Sequence, residues 1–133
     1  MKIKIDKHTL TESLNHTIKG ISNKNLIPIL NCIKIDVVKE GMYLTSTNNE
    51  ISIKTFISKN KIDTIEELGT IVVYGRLFYE YVRKLPNELI TLEELIDNKL
   101  KIYTKSSSSD INCNDKNDFP KLNFETKKKT ISY

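Results

Sequence analysis

Gly75-Arg76-Leu77-Phe78-Tyr79-Glu80-Tyr81-Val82-Arg83-Lys84-Leu85-Pro86 separates its apolar and basic residues onto two faces when wound as a helix. Leu77, Phe78, Tyr81, Val82 and Leu85 recur at helical spacing, so one face reads as core. Arg76, Tyr79 and Arg83 fall on the opposite face, and Pro86, which has no backbone N–H to donate, closes the segment. Two guanidiniums and a phenol along one solvent-facing line suit phosphate, because the planar Arg fork matches phosphate oxygens in pairs. An ordinary solvated helix face gives the same pattern, so the rest of the chain must discriminate.

Working outward, Lys2 to Asp6 alternates, with Ile3 and Ile5 on one side, as a half-buried strand does. Thr9 with Glu12 forms a capping box, and Leu10, Leu14, Ile18 and Ile21 mark a helical stripe that ends at Gly20 and Ser22-Asn23-Lys24-Asn25. Leu30 to Val38, Met42 to Ser46 and Ile51 to Ile57 read as strands, with turn chemistry at Glu40-Gly41 and Asn48-Asn49. Around the opening segment the same order returns. Thr70 to Tyr74 is a strand, Arg76 to Leu85 a helix, and Leu89 to Leu95, Leu100 to Thr104 and Asp110 to Asn114 are strands. The expected fold is therefore α+β, built from two strand-helix-three-strand units, at about 1–66 and 67–122, that are alike in pattern and not in residue identity. Equivalent connections cross with equivalent hand, so the two helices should pack side by side on the same face of antiparallel sheets.

A chain of 133 residues makes one domain, or two small closely packed halves, and buries roughly two thirds of its unfolded surface. Its 21 Lys and Arg against 17 Asp and Glu, a net charge of +4, lean mildly toward an anionic partner. Cys32 and Cys113 stand far apart with no Cys-x-x-Cys, so both read as buried thiols in strands. No apolar run approaches the roughly 18 to 20 residues that span a bilayer, and Met1-Lys2-Ile3-Lys4 leads into a strand, so no membrane partner and a cytoplasmic location are expected. Ser106-Ser107-Ser108-Ser109 reads as a flexible turn, and Lys127-Lys128-Lys129 as a solvated linker or strand edge.

Catalytic constellations are missing from the sequence. It has no phosphate-cradling glycine loop, no metalloprotease His-Glu-x-x-His and no nucleophile elbow. His8 and His16 are more than two helical turns apart, too far to share one metal ion easily, and read as solvent-facing. Glu66-Glu67 and Glu93-Glu94 are neighbours that a strand would point to opposite faces. The expectation is a protein that is not an enzyme, with no cofactor and no metal.

Ile27-Pro28-Ile29-Leu30, the hairpin Leu44 to Ile53, Gly75-Arg76-Leu77-Phe78 through Pro86, and Asp118-Phe119-Pro120-Lys121-Leu122 occur together in one order. That ordered set, spanning essentially the whole chain, resembles the first domain of the bacterial sliding clamp, the beta subunit of DNA polymerase III. The resemblance implies a DNA-clamp fold over 1–133, with 123–133 beginning an inter-domain linker. It implies a replication processivity scaffold for double-stranded DNA, with helices lining a ring and no reading of base sequence. The family's basic DNA-facing positions match Lys24, Arg76 and Arg83, an ammonium standing at Lys24 where relatives often carry a guanidinium. Full-length relatives close head to tail through a strand matching Ser108, Asp110 and Ile111, and engage polymerase and clamp loader through a peptide pocket on other domains, which this chain should lack. Ser108 and Asp110 replace residues that are commonly basic, and Asn48 stands where an acidic residue is usual. The alternative role is a standalone clamp-like protein that binds or competes with an intact clamp.

Overall fold

The computed structural model describes residues 1–21, 31–47, 52–119 and 128–132. Strand β1 (Lys2–Asp6) buries Ile3 and Ile5 completely and runs directly into helix α1 (Lys7–Thr17). Asp6 caps that helix, its carboxylate accepting from the Thr9 backbone N–H at 2.9 Å and the Thr9 hydroxyl at 2.8 Å. The expected Thr9–Glu12 capping box is therefore corrected to a cap three residues earlier. No loop separates strand from helix, so the last strand residue must serve as cap, and Glu12 pairs instead with His8 at 3.2 Å.

The remaining strands are β2 (Cys32–Val38), β3 (Gly41–Thr47), β4 (Ser52–Ser58), β5 (Thr64–Glu67) and β6 (Gly69–Tyr74). Helix α2 (Gly75–Arg83), β7 (Leu89–Leu95), β8 (Lys99–Tyr103), β9 (Ser108–Asn112) and β10 (Lys128–Ser132) complete the described strands and α-helices. They form two five-stranded sheets, ordered β5-β1-β7-β8-β9 and β10-β4-β3-β2-β6. The leading strand of each unit crosses into the other's sheet, β1 pairing with β7 and β6 with β2. The pairings are antiparallel except that β10 runs parallel to β4.

Strand β5 was not expected from the sequence. Thr64-Ile65-Glu66-Glu67 is largely exposed, so no buried alternation announces it, and it joins β1 through a register shift at Lys2/Ile3. Strand β9 starts at Ser108 and not Asp110, so half of the serine run is strand. The turn before it is held: the Thr104 N–H donates to the Ser107 carbonyl at 2.8 Å, and Ser106 Oγ donates to Glu88 at 2.8 Å. That hydroxyl keeps the Glu88 carboxyl below its ordinary range.

Both helices pack on the β4-β3-β2-β6 sheet, α1 over β3 and β4 and α2 over β2 and β6, and they touch each other, as expected. The core between helices and sheets joins Leu10, Leu14, Phe78 and Val82 to Ile33, Ile35, Leu44 and Ile57, and to Ile3, Ile5, Ile90 and Leu92 of the second sheet. Beneath α1 the contact is partly polar. Thr17 Oγ1 hydrogen-bonds the Ser13 carbonyl and the Thr55 hydroxyl, both at 2.8 Å, and Ser46 Oγ donates to the Thr17 carbonyl. All four residues are fully buried. A second small cluster, Cys32, Val72 and Phe119, places Phe119 against residues of β2 and β6.

Two positions of α2 correct the expected division of faces. Leu77 is 57% exposed, whereas Tyr79 is half-buried against the core. The buried arc is set by Gly75, Phe78, Val82 and Leu85, and at about 100° per residue Leu77 falls well outside it while Tyr79 flanks it.

Truncating Phe78→Ala should cost about 3–5 kcal/mol in urea unfolding, whereas Leu77→Ser should stay within about 0.5 kcal/mol. Equal losses would contradict this orientation of α2. Burial pushes the Cys32 and Cys113 thiols up to about 11 from 9.0, Glu94 adding to the shift at Cys113. Because folding raises both values, the protonated thiols favour the native state, and stability should fall as pH rises from 9.0 toward about 11. Native protein at about pH 8 should accordingly react with a thiol reagent far more slowly than urea-unfolded protein.

Candidate nucleic-acid interface

Helix α2 carries Arg76, Glu80, Arg83 and, just beyond its last turn, Lys84 on its exposed side. Phe78 and Val82 are drawn wholly into the core, which turns Arg76 and Arg83 outward on one line about two turns apart. Neither arginine is in the interior. Among the described residues Arg76 makes no ion pair, and Arg83 pairs with Glu80 at 3.3 Å. The Arg83 guanidinium also lies 5.7 Å from the centre of the Tyr79 ring. Tyr79 thus acts less as a solvent-facing phenol than as a half-buried platform beneath the arginine. A cation at this end of α2 is favoured by the helix dipole.

Helix α1 runs antiparallel alongside. At one end Lys7 Nζ donates to the Leu85 carbonyl at 2.6 Å, tying the start of α1 to the end of α2. At the other end Gly75 is pressed so close that an added Cβ would stand 2.5 Å from Ile21 Cδ1. Lys19, exposed in the short 3-10 turn that follows α1, therefore lies toward the Arg76 end, and His8 and Glu12 toward the Arg83 end. Lys19 and Lys84 are exposed cations that the sequence reading passed over. The available signal was their place in or just after a last helical turn, where basic residues are favoured. Lys24, the third expected phosphate contact, lies outside the described residues, as does Asn48.

Ser108, Asp110 and Ile111 stand apart from this face, on β9 at the edge of the other sheet. Ser108 and Asp110 are exposed, and Ile111 is half-buried against the core. The structure brings these three together but does not join them to Arg76 and Arg83.

Among the described residues no group of three or more His, Cys, Asp or Glu side chains could hold a metal ion. The open groove bordered by Asp6, Thr9, Asp63 and Leu89 uses a carboxylate already committed to capping α1. No helix is long and apolar enough to cross a membrane among the described residues.

Comparison with known proteins bears on this arrangement. The family model described as DNA polymerase III beta subunit, N-terminal domain, matches residues 1–123. The beta sliding clamp of Bacillus subtilis is 37% identical over 128 residues, covering 92% of this chain and 33% of the relative. That of Streptococcus pneumoniae is 34% identical over 121 residues, covering 89% and 32%. The crystal structure of the beta subunit from Streptococcus pyogenes superposes with a TM-score of 0.88 at 29% identity, over 92% of this chain and 33% of that one. A Helicobacter pylori beta clamp bound to a DNA ligase peptide superposes with a TM-score of 0.83 at 25% identity, over 92% and 33%. The chain thus spans about a third of the length of these relatives. The paired helices, the two exchanged sheets and these matches agree: the chain belongs to the DNA polymerase III beta subunit, or beta sliding clamp, family and corresponds to its N-terminal domain.

Proposed function

We propose that the chain serves DNA replication as a non-catalytic clamp domain, one unit over 1–133 whose last residues, 123–133, lead toward further domains in a ring. Its paired helices would face duplex DNA and hold it through phosphates, with Arg76, Arg83 and Lys24 as the principal contacts. Lys19 and Lys84 would add charge at the two ends of the same face. The observation that carries this reading is the outward line of Arg76 and Arg83 on a helix whose other side is locked in the core. Contacts to phosphate are electrostatic and carry no sequence information, so a duplex can be retained and still slide.

Through Ser108, Asp110 and Ile111 the chain would meet a neighbouring clamp subunit. Polymerase and clamp loader would engage the assembled ring through other domains. The site of action is the cytoplasm, and no cofactor is required.

Isolated protein should bind duplex DNA weakly, without sequence preference, and lose affinity steeply between roughly 50 and 200 mM salt. Equal binding at both ends of that range would overturn the proposal. Replacing both Arg76 and Arg83 by Ala should lower the salt slope by up to about two with an unchanged circular dichroism spectrum. Glu80→Gln should do the reverse, tightening duplex binding about two- to fivefold at low salt by releasing Arg83 from its partner and removing a repelling charge.

A further inference from the structure

Helix α2 exposes two stripes of different chemistry. At about 100° per residue Arg76 and Arg83 lie within about 20° of each other, on the flank of the buried arc that Tyr79 occupies. The other flank belongs to Tyr74, Leu77 and Tyr81, spaced three and four residues apart, and Glu80 and Lys84 separate the two stripes on the crest. Tyr74 is 41% exposed at the N-cap and Leu77 57% exposed one turn on, while Tyr81 is half-buried against the core.

Core packing does not account for this second stripe, because Phe78, Val82 and Leu85 already carry the buried arc. Phosphate does not account for it either, since Leu77 offers an anion neither charge nor donor. A single apolar residue on a surface needs no explanation, but here three line up along a helix whose other flank holds two guanidiniums. The ligand that fits both flanks is polyanionic along one edge, and flat and apolar along the other. Unpaired nucleotides have this chemistry, because they carry a phosphate chain and bases whose π faces are open. In a duplex those faces are stacked inside, so the same flank meets only sugars and groove edges.

We infer that the Tyr74, Leu77 and Tyr81 flank of α2 takes unpaired nucleobases from a single strand whose phosphates run along Arg76 and Arg83. Tyr74 supplies the stacking platform and Leu77 packs beside the stacked base. Arg83, lying over the Tyr79 ring, holds the backbone from the opposite flank. The inference rests on α2 being the nucleic-acid face, and adds that this face accepts a single strand as well as a duplex.

The test measures, by fluorescence anisotropy at low salt, an oligothymidine of about twelve nucleotides against an abasic strand of the same length and charge. Oligothymidine should bind about five- to tenfold tighter. Tyr74→Ser and Leu77→Ser should each bring that ratio toward one, whereas Tyr74→Phe, which keeps the ring, should preserve it. Replacing both Arg76 and Arg83 by Ala should weaken both strands together and leave the ratio in place. A ratio of one in the unaltered protein overturns the inference, and so does a ratio that survives both serine variants with unchanged circular dichroism spectra. Salt-dependent duplex binding alongside a ratio of one overturns the single-strand site alone. Absence of binding to either strand and to duplex overturns it together with the reading of α2 on which it rests.

Discussion

Exchange of the leading strands is the constraint on which the rest of the molecule depends. Because β1 lies between β5 and β7, and β6 lies beside β2, neither strand-helix-three-strand unit completes a sheet from its own residues. Each helix follows its leading strand directly, so the crossing also fixes where the helices go. Asp6 turns the chain out of β1 into α1, and Tyr74 hands β6 straight to Gly75 of α2. Two elements delivered from opposite sheets arrive over one sheet, antiparallel, with no loop long enough to let them drift. The outward position of Arg76 and Arg83 is thus a property of sheet topology as much as of their own helix.

Contacts between the helices and the sheet refine that placement by two different means. Under α2 the contact is apolar and tight, with Phe78 and Val82 wholly buried and Gly75 leaving no room for a side chain against Ile21 and Ile33. Under α1 hydroxyls of Ser13, Thr17, Ser46 and Thr55 meet one another and the backbone. Such bonds are directional, so they specify rotation of the helix about its axis where apolar packing alone tolerates slippage.

Much of this was legible in the residues, and the exceptions are instructive. Alternation in Lys2–Asp6 and the periodic apolar residues of both helices identified the elements, since burial forces those periods. Leu77 misled because hydropathy was read without its angle; Phe78 next to it, fully buried, shows which arc the sheet covers. Strand β5 was invisible because an edge strand with exposed Thr64, Glu66 and Glu67 owes its existence to a partner, not to its own pattern. In the same way the sequence marks Arg83 as a cation but not its pairing with Glu80, and marks Asp110 as acidic but not its register opposite Lys101 of β8. Periodicity reports on a residue's own element, whereas register across a sheet is a relation between distant ones.

That relation has a temporal side. Ile3 lies opposite Leu92 in the ladder between β1 and β7, a separation of 89 positions (92 − 3). Strand β1 therefore gains this partner only after the chain has run 89 positions further, and loop closure over such a span is entropically unfavourable and slow. The nascent β1 must keep two bare isoleucines in water meanwhile, flanked by lysines that hinder premature association.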